Sequence, residues 1–356
     1  MTRALKILLS TTTTLLLAGS LLSQTAIPEI PYDSTPNLLK WPERIHLGEA
    51  VGVATTSKGN ILVYTRTGDV NVVSGASRAF SHGGARLFEF DSNGKYIREI
   101  GQGLYGFQFA HVVRVDSQDN IWAVDEGSNM LIKFNPEGRV IMTMGRKPEA
   151  IRIPEGPAPG NPTPGGPPIG AGAAGDNFNR PTDVGWDPAG NIFVSDGYGN
   201  SRVAKYDKNG RFIKSWGSRG TATGMFNTPH SIAVDAKGDV YVGDRGNRRI
   251  QVFDNDGNFK TAYTHVGAPW AVCITPGPHQ YLYSSNSNGT ANMENGEIYK
   301  MELDGKVLGK FGTAGKLLKE FGSVHEIDCR NPDVLYVGEI TNWRVQKLTL
   351  KPGQAK

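Results

Sequence analysis

The sequence predicts an all-β fold, a six-bladed β-propeller with four antiparallel strands per blade. A hairpin-forming segment recurs six times, glycine is abundant (45 of 356 residues), and strong helical patterns are scarce. The copies are GVATTSKGNILVYTR from Gly52, HVVRVDSQDNIWAVDE from His111, TDVGWDPAGNIFVSDG from Thr182, HSIAVDAKGDVYVGDR from His230, the degenerate WAVCITPGPHQYLYSS from Trp270, and HEIDCRNPDVLYVGE from His325. Each half alternates apolar and polar residues, and Gly, Asn, Asp or Pro fills the middle. That pattern is a β-hairpin with a tight turn.

A third and a fourth run follow each hairpin, as in RVAKYDKNGRFIKSWG (202–217), with Asn-Gly or Asp-Gly turn chemistry between them. Four strands in roughly 40–50 residues is the size of one propeller blade. The sixth unit, RVQKLTLKPGQAK, has a third strand and no fourth. An unpaired edge is avoided in native sheets, so residues about 37–48 (NLLKWPERIHLG) are expected to supply the outer strand of blade six. Pro42 suits an outermost strand, whose free N–H side faces solvent. Two insertions break the period, one at about 68–85 and a Pro/Gly-rich stretch at about 148–178 that reads as a surface loop rather than a linker.

Arg3 and Lys6 precede an apolar run from Ile7 to about Leu22, then small and polar residues. This is the layout of a secretory signal peptide over 1–26. The remainder, 27–356, reads as one propeller domain, secreted or periplasmic, with no membrane span and a monomeric state expected. The formal charge of +4 falls to about +2 without that segment, which predicts no nucleic-acid or membrane-surface partner. Cys273 and Cys329 lie in successive repeats at slots that differ by one, so a bridge is open but not indicated.

Aligning the hairpins exposes a column just inside the first strand: Val51, His111, Thr182, His230, Trp270, His325. Histidine occupies alternate blades, which a six-fold ring relates by about a third of a turn. Three imidazoles then converge on the axis and leave a fourth position open, the pattern of a catalytic His₃ zinc site. Copper, iron and nickel accept the same ligands. A second column at the end of strand two holds Asp125, Asp196, Asp244 and Glu339, with Thr65 in blade one. These acids read as intrablade hydrogen-bond acceptors. Arg66 and Arg245 directly follow the column, and Tyr198 lies two beyond Asp196; all three face the histidines if that end of the ring is shared.

The D-x-x-x-N-x-R-V of Asp196 to Val203 and the D-x-x-N-x-R-I of Asp244 to Ile250 resemble the NHL repeat signature. TPHSIAVD, SDGYGNSR, GDRGNRRIQ and VHEI are similar to the catalytic core of the peptidyl-α-hydroxyglycine α-amidating lyase family, from about Leu47 to the C-terminus. That resemblance implies cleavage of a C-terminal α-hydroxyglycine to a peptide amide and glyoxylate. It implies zinc on His111, His230 and His325, and Tyr198 as catalytic base. It also implies Arg66 on the carboxylate of a peptide or small-molecule substrate and Arg245 beside Tyr198. A structural calcium is implied on Glu326 and the backbone carbonyls of Val53 and Val113, with Glu326 standing where the family usually has Asp. Two disulfides of the animal enzymes are absent, and Ser323 stands where a methionine is expected.

Two other functions compete. One is a non-catalytic NHL propeller that binds a protein or glycan, which has no need for His, Tyr and Arg to converge. The other is a calcium-dependent propeller lactonase, which needs axial acids and amides where this column offers histidines.

Overall fold

The computed structural model describes residues 27–35, 37–67, 84–146, 175, 177–287 and 296–351. The expected signal peptide, most of the 68–85 insertion and nearly all of the 148–178 stretch lie outside the described residues. Among those residues no helix is long and apolar enough to cross a membrane.

The repeats form six four-stranded antiparallel sheets, the blades of the propeller. A short strand, β1 (Tyr32–Thr35), comes first. Blade one is β2–β5 (Glu49–Thr55, Ile61–Arg66, Ala85–Phe90, Tyr96–Ile100). Blade two is β6–β9 (Ala110–Val115, Ile121–Asp125, Met130–Phe134, Val140–Gly145). Blade three is β10–β13 (Asp183–Trp186, Ile192–Asp196, Arg202–Tyr206, Phe212–Trp216). Blade four is β14–β17 (Pro229–Val234, Val240–Asp244, Arg249–Phe253, Phe259–Tyr263). Blade five is β18–β21 (Pro269–Ile274, Tyr281–Asn286, Glu297–Glu302, Val307–Phe311). A small parallel pair, β22 (Thr313–Ala314) and β23 (Glu320–Phe321), leads to blade six, β24–β26 (Val324–Asn331, Val334–Glu339, Arg344–Leu350).

The fourth strand of blade six is β1, antiparallel to β26 with Tyr32 opposite Leu350 and Thr35 opposite Lys347. The strand is therefore N-terminal, but it is Tyr32–Thr35 and not 37–48. The reason is apolar content. An outer strand leaves much of its surface in water, which YDST tolerates. Leu38, Leu39, Trp41, Ile45 and Leu47 instead pack as a strap against Phe88 and Phe90 of blade one and Tyr336 and Val345 of blade six. Trp41 meets Phe88 and Phe90 edge-on, ring centres 5.2 and 4.8 Å apart.

Successive side chains of a strand point to opposite faces, so each blade packs on both neighbours. On β7, Ile121 and Ala123 join the blade-one seam, while Trp122 and Val124 join the blade-three seam. Every seam around the ring has its own apolar cluster. A disulfide between Cys273 of β18 and Cys329 of β24 crosses one of them, Cα atoms 6.1 Å apart. Linear alignment did not indicate this bond. Cys329 lies in a register irregularity between Asp328 and Asn331, which absorbs the one-slot mismatch.

Candidate metal centre

The histidines are aimed by a backbone device. Pairing shifts register between Ala50 and Gly52, Ala110 and Val112, Pro229 and Ser231, and Val324 and Glu326. Val51, His111, His230 and His325 are thus the extra residues of β-bulges. A bulge releases a residue from the ladder and re-aims its side chain, here toward the axis.

His111, His230 and His325 are buried. Their ring centres form a near-equilateral triangle of 4.7, 4.6 and 4.8 Å. Their ligating atoms all lie within 4.8 Å of one another, a cluster able to hold a metal ion. Nδ1 of His230 lies 2.7 Å from the Trp270 carbonyl, and Nδ1 of His325 lies 2.7 Å from that of Val51. Those carbonyls belong to the next column residue around the ring. Such a bond sets the tautomer with the proton on Nδ1 and leaves the Nε2 lone pair for a metal. The Thr182 backbone lies beside His111, yet among the described residues neither ring nitrogen of His111 has a hydrogen bond of ordinary geometry. A buried imidazole without partners is costly, and a metal ion relieves it. The histidine set therefore fits a bound metal.

Burial pushes the pKa of all three imidazoles well below the usual histidine range, and the neighbouring rings and arginines push the same way. They are neutral at pH 7, as ligation requires.

The mouth above the triangle is built by turns that follow the second strands. Antiparallel pairing puts the start of strand one and the end of strand two at the same end, so Arg66, Tyr198 and Arg245 all reach the histidines' side. Tyr198 Oη lies 3.1 Å from Nε2 of His230. Arg245 Nη1 approaches the same oxygen at 3.5 Å, with its guanidinium 4.4 Å from the centre of the Trp270 ring. Burial raises the Tyr198 pKa; Arg245, Arg66 and Arg180 oppose the rise, and Glu126 adds to it. Arg66 rests on the Phe109 ring at 3.5 Å, donates from Nε to the Ala110 carbonyl at 2.9 Å, and pairs with Glu49 through Nη1 at 2.9 Å. Among the described residues its Nη2 has a carboxylate no nearer than Glu126, at 4.0 Å.

The second-column acids lie inside their blades. Asp196 accepts from the Asn179 amide, the Asn200 side chain and Arg202 Nε at 2.9, 2.6 and 3.0 Å. Asp244 and Glu339 take the equivalent bonds from Asn247 and Arg249, and from Asn342 and Arg344. Asp125 accepts three backbone amides and the Tyr64 hydroxyl. They are acceptors that brace the blades.

The implied calcium ligands do not fit a calcium ion. Val53 and Val113 donate their backbone N–H groups, not carbonyls, to Glu326 Oε2 at 3.0 and 3.2 Å. The other carboxylate oxygen lies 3.0 Å from Arg114 Nε. A divalent cation there would sit against a guanidinium.

Sequence reasoning passed over Glu126, Arg180 and Phe109. Arg180 lies over the Tyr198 ring at 4.5 Å, and its Nε donates to Glu126 at 2.6 Å. Both had a signal. Glu126 follows Asp125 directly, as Arg66 and Arg245 follow their column residues. Glu49, Phe109 and Arg180 all stand two residues before the histidine column.

The NHL repeat pattern matches residues 226–253, from just before blade four to the end of its third strand. Rat peptidylglycine α-amidating monooxygenase is 28% identical over 339 residues, 88% of this chain and 32% of that protein. Drosophila melanogaster peptidyl-α-hydroxyglycine α-amidating lyase 1 is 25% identical over 93% of this chain and 65% of its own length. Mouse NHL repeat-containing protein 3 is 26% identical over 72% of this chain and 70% of its own. The chain spans about a third of the length of the first curated relatives it matches. A solved streptogramin B lyase structure superposes with a TM-score of 0.51 at 14% identity, covering 90% of this chain and 97% of that one, a likeness of fold. The chain is a six-bladed β-propeller that carries an NHL repeat and is similar, at low identity, to peptidyl-α-hydroxyglycine α-amidating lyases.

Proposed function

We propose that this protein is a zinc-dependent carbon–nitrogen lyase that cleaves a peptidyl- or N-acyl-α-hydroxyglycine to an amide and glyoxylate. The observation that carries the reading is the triangle of neutral histidines with Tyr198 Oη against one of them. Similarity to the amidating lyases over most of the chain supports it. A nitrogen-only ligand set with an open fourth position suits catalytic zinc.

When bound, zinc would supply Lewis-acid polarisation of a substrate oxygen and favour ionised hydroxyls around it. Tyr198 is the general base. It takes the proton of the carbinol hydroxyl, the freed O–H electron pair becomes the glyoxylate C=O, and the C–N pair leaves with the nitrogen. That nitrogen takes up one proton, so substrate and products balance. Arg245 stabilises the tyrosinate, against the burial that disfavours it. Arg66 is held by Ala110, Glu49 and Phe109, and its guanidinium pairs with the substrate carboxylate. Arg180 and Glu126 hold Tyr198 from its other face.

A location outside the cytoplasm is part of this proposal; the signal-peptide layout expected over 1–26 and the Cys273–Cys329 bond, which suits an oxidising compartment, support it. The binding-module reading gives no role to three buried imidazoles in mutual contact, with His111 lacking a hydrogen bond of ordinary geometry among the described residues.

The test is elemental analysis of the purified chain together with glyoxylate release from an N-acyl-α-hydroxyglycine. Near-stoichiometric zinc with turnover is expected. Zinc without glyoxylate would overturn the reaction, and no metal would overturn the site.

A further inference from the structure

Beneath the histidines the channel holds a second polar cluster that the lyase chemistry does not use. Arg114 of β6 projects into the channel three residues after His111. Its Nε and Nη2 form a forked pair with Asp183 of β10 at 2.9 and 2.6 Å. Nη1 reaches the Ile327 carbonyl of β24, and Nη2 the Val272 carbonyl of β18, each at 3.3 Å. Asp183 accepts the Ile232 amide of β14 at 3.0 Å. Glu326 of β24 accepts the Val53 amide of β2 and the Val113 amide of β6. Each of the six innermost strands thus contributes a group to this one cluster.

The charges are in an order that depends on the guanidinium. Asp183 and Glu326 are both fully buried. Among the described residues Glu326 Oε1 takes no hydrogen bond, and its ion-pair partner is Arg114 Nε, 3.0 Å away. Two buried carboxylates with two strand carbonyls beside them, here accepting from Arg114, are oxygen ligands of the kind a hard divalent cation takes. Here a tethered planar cation answers them instead, and it satisfies carboxylate and carbonyl partners through its fork.

We infer that Arg114 is the built-in axial cation of this propeller: its guanidinium takes the place of a divalent ion, locks the six innermost strands, and sets the spacing of the histidine triangle one step above. Val113 and Glu326 sit beside Arg114 and His325 in the chain, so the lock acts on strands that carry the histidines. Arg114 is accordingly a positioning residue, and the fold needs no calcium.

The experiment measures thermal unfolding of the full, chelator-treated chain with and without millimolar calcium, plus calcium content by elemental analysis. It requires no turnover, so its failure is separate from failure of the lyase reading. The wild-type chain is expected to hold no calcium and to shift its Tm by less than about 1 °C. Arg114→Ala uncovers Asp183 and Glu326; it is expected to unfold at lower temperature and to regain at least about 5 °C on adding calcium. Arg114→Lys keeps the charge without the fork and is expected to fall between the two, with little calcium response. Should the alanine variant not fold without calcium and fold with it, the inference stands. Stoichiometric calcium in the wild-type chain, a wild-type Tm that rises with calcium, or an alanine variant indifferent to it would overturn the inference.

Discussion

Tyr198 Oη and His230 Nε2 lie 3.1 Å apart although they come from different blades, three and four. The tyrosine hangs from the turn after β11, and the histidine is the extra residue of the bulge on β14. The contact joins the proposed base to the histidine cluster that could hold a metal ion, and it separates two roles that mutation can distinguish.

Tyr198→Phe keeps the ring that lies under Arg180 and meets His111 and His230 edge-on, and removes only the hydroxyl. Zinc content is expected to be unchanged while glyoxylate release falls by about 10²-fold or more. Paired elemental analysis and kinetics check this, and an unaltered rate would remove Tyr198 from the mechanism.

His230→Ala removes one of the three proposed ligands and lies outside the apolar seams of the blades. Zinc is expected to drop well below one per chain, with turnover lost. A variant with full metal and full activity would defeat the metal-centre reading.

In the metal-free chain the histidines make stability pH-dependent, and the sign follows from burial. Their native pKa lies below the unfolded value of 6.5. Above that value both states are neutral and the group has no effect. As pH falls below it, only the unfolded chain takes up the proton, so the native state loses stability. His111→Gln is expected to flatten the decline by about 1.4 kcal/mol per pH unit below 6.5. Denaturant titrations of both chelator-treated proteins between pH 7.5 and 5.5 measure the difference. Using the difference cancels the buried aspartates, whose raised pKa values act in the opposite direction.

The Cys273–Cys329 bond closes a separation of 56 residues across the blade-five and blade-six seam. Reduction is expected to destabilise the chain by about 2–4 kcal/mol. Chemical unfolding with and without reductant tests it, and thiol titration of the unfolded oxidised chain should find no free sulfhydryl.

Deleting residues through Thr35 removes β1 and leaves β26 as an open edge. A cooperative loss of several degrees in Tm is expected. A deletion variant as stable as the parent would show that the β1–β26 pairing contributes nothing to closure.

The repeat period and the alternation within each copy were enough to state the six blades, because a strand buried on both faces against two neighbours must repeat its apolar positions at every seam. The histidine column was legible for the same reason: equivalent positions in a ring share a height, so His111, His230 and His325 converge once the alignment is made. What the linear pattern could not show is where the backbone departs from regularity or which partner a segment chooses across the ring. The bulges that aim the histidines, and the irregularity that brings Cys329 to Cys273, are local insertions visible only as register shifts between paired strands. The choice of Tyr32–Thr35 over 37–48 for the closing strand depended on which segment could bury its leucines and Trp41 elsewhere. Arg114 is the sharpest case. In sequence it is one charged residue in a strand; only the meeting of six strands on one axis turns it into a cation held by two carboxylates from blades three and six.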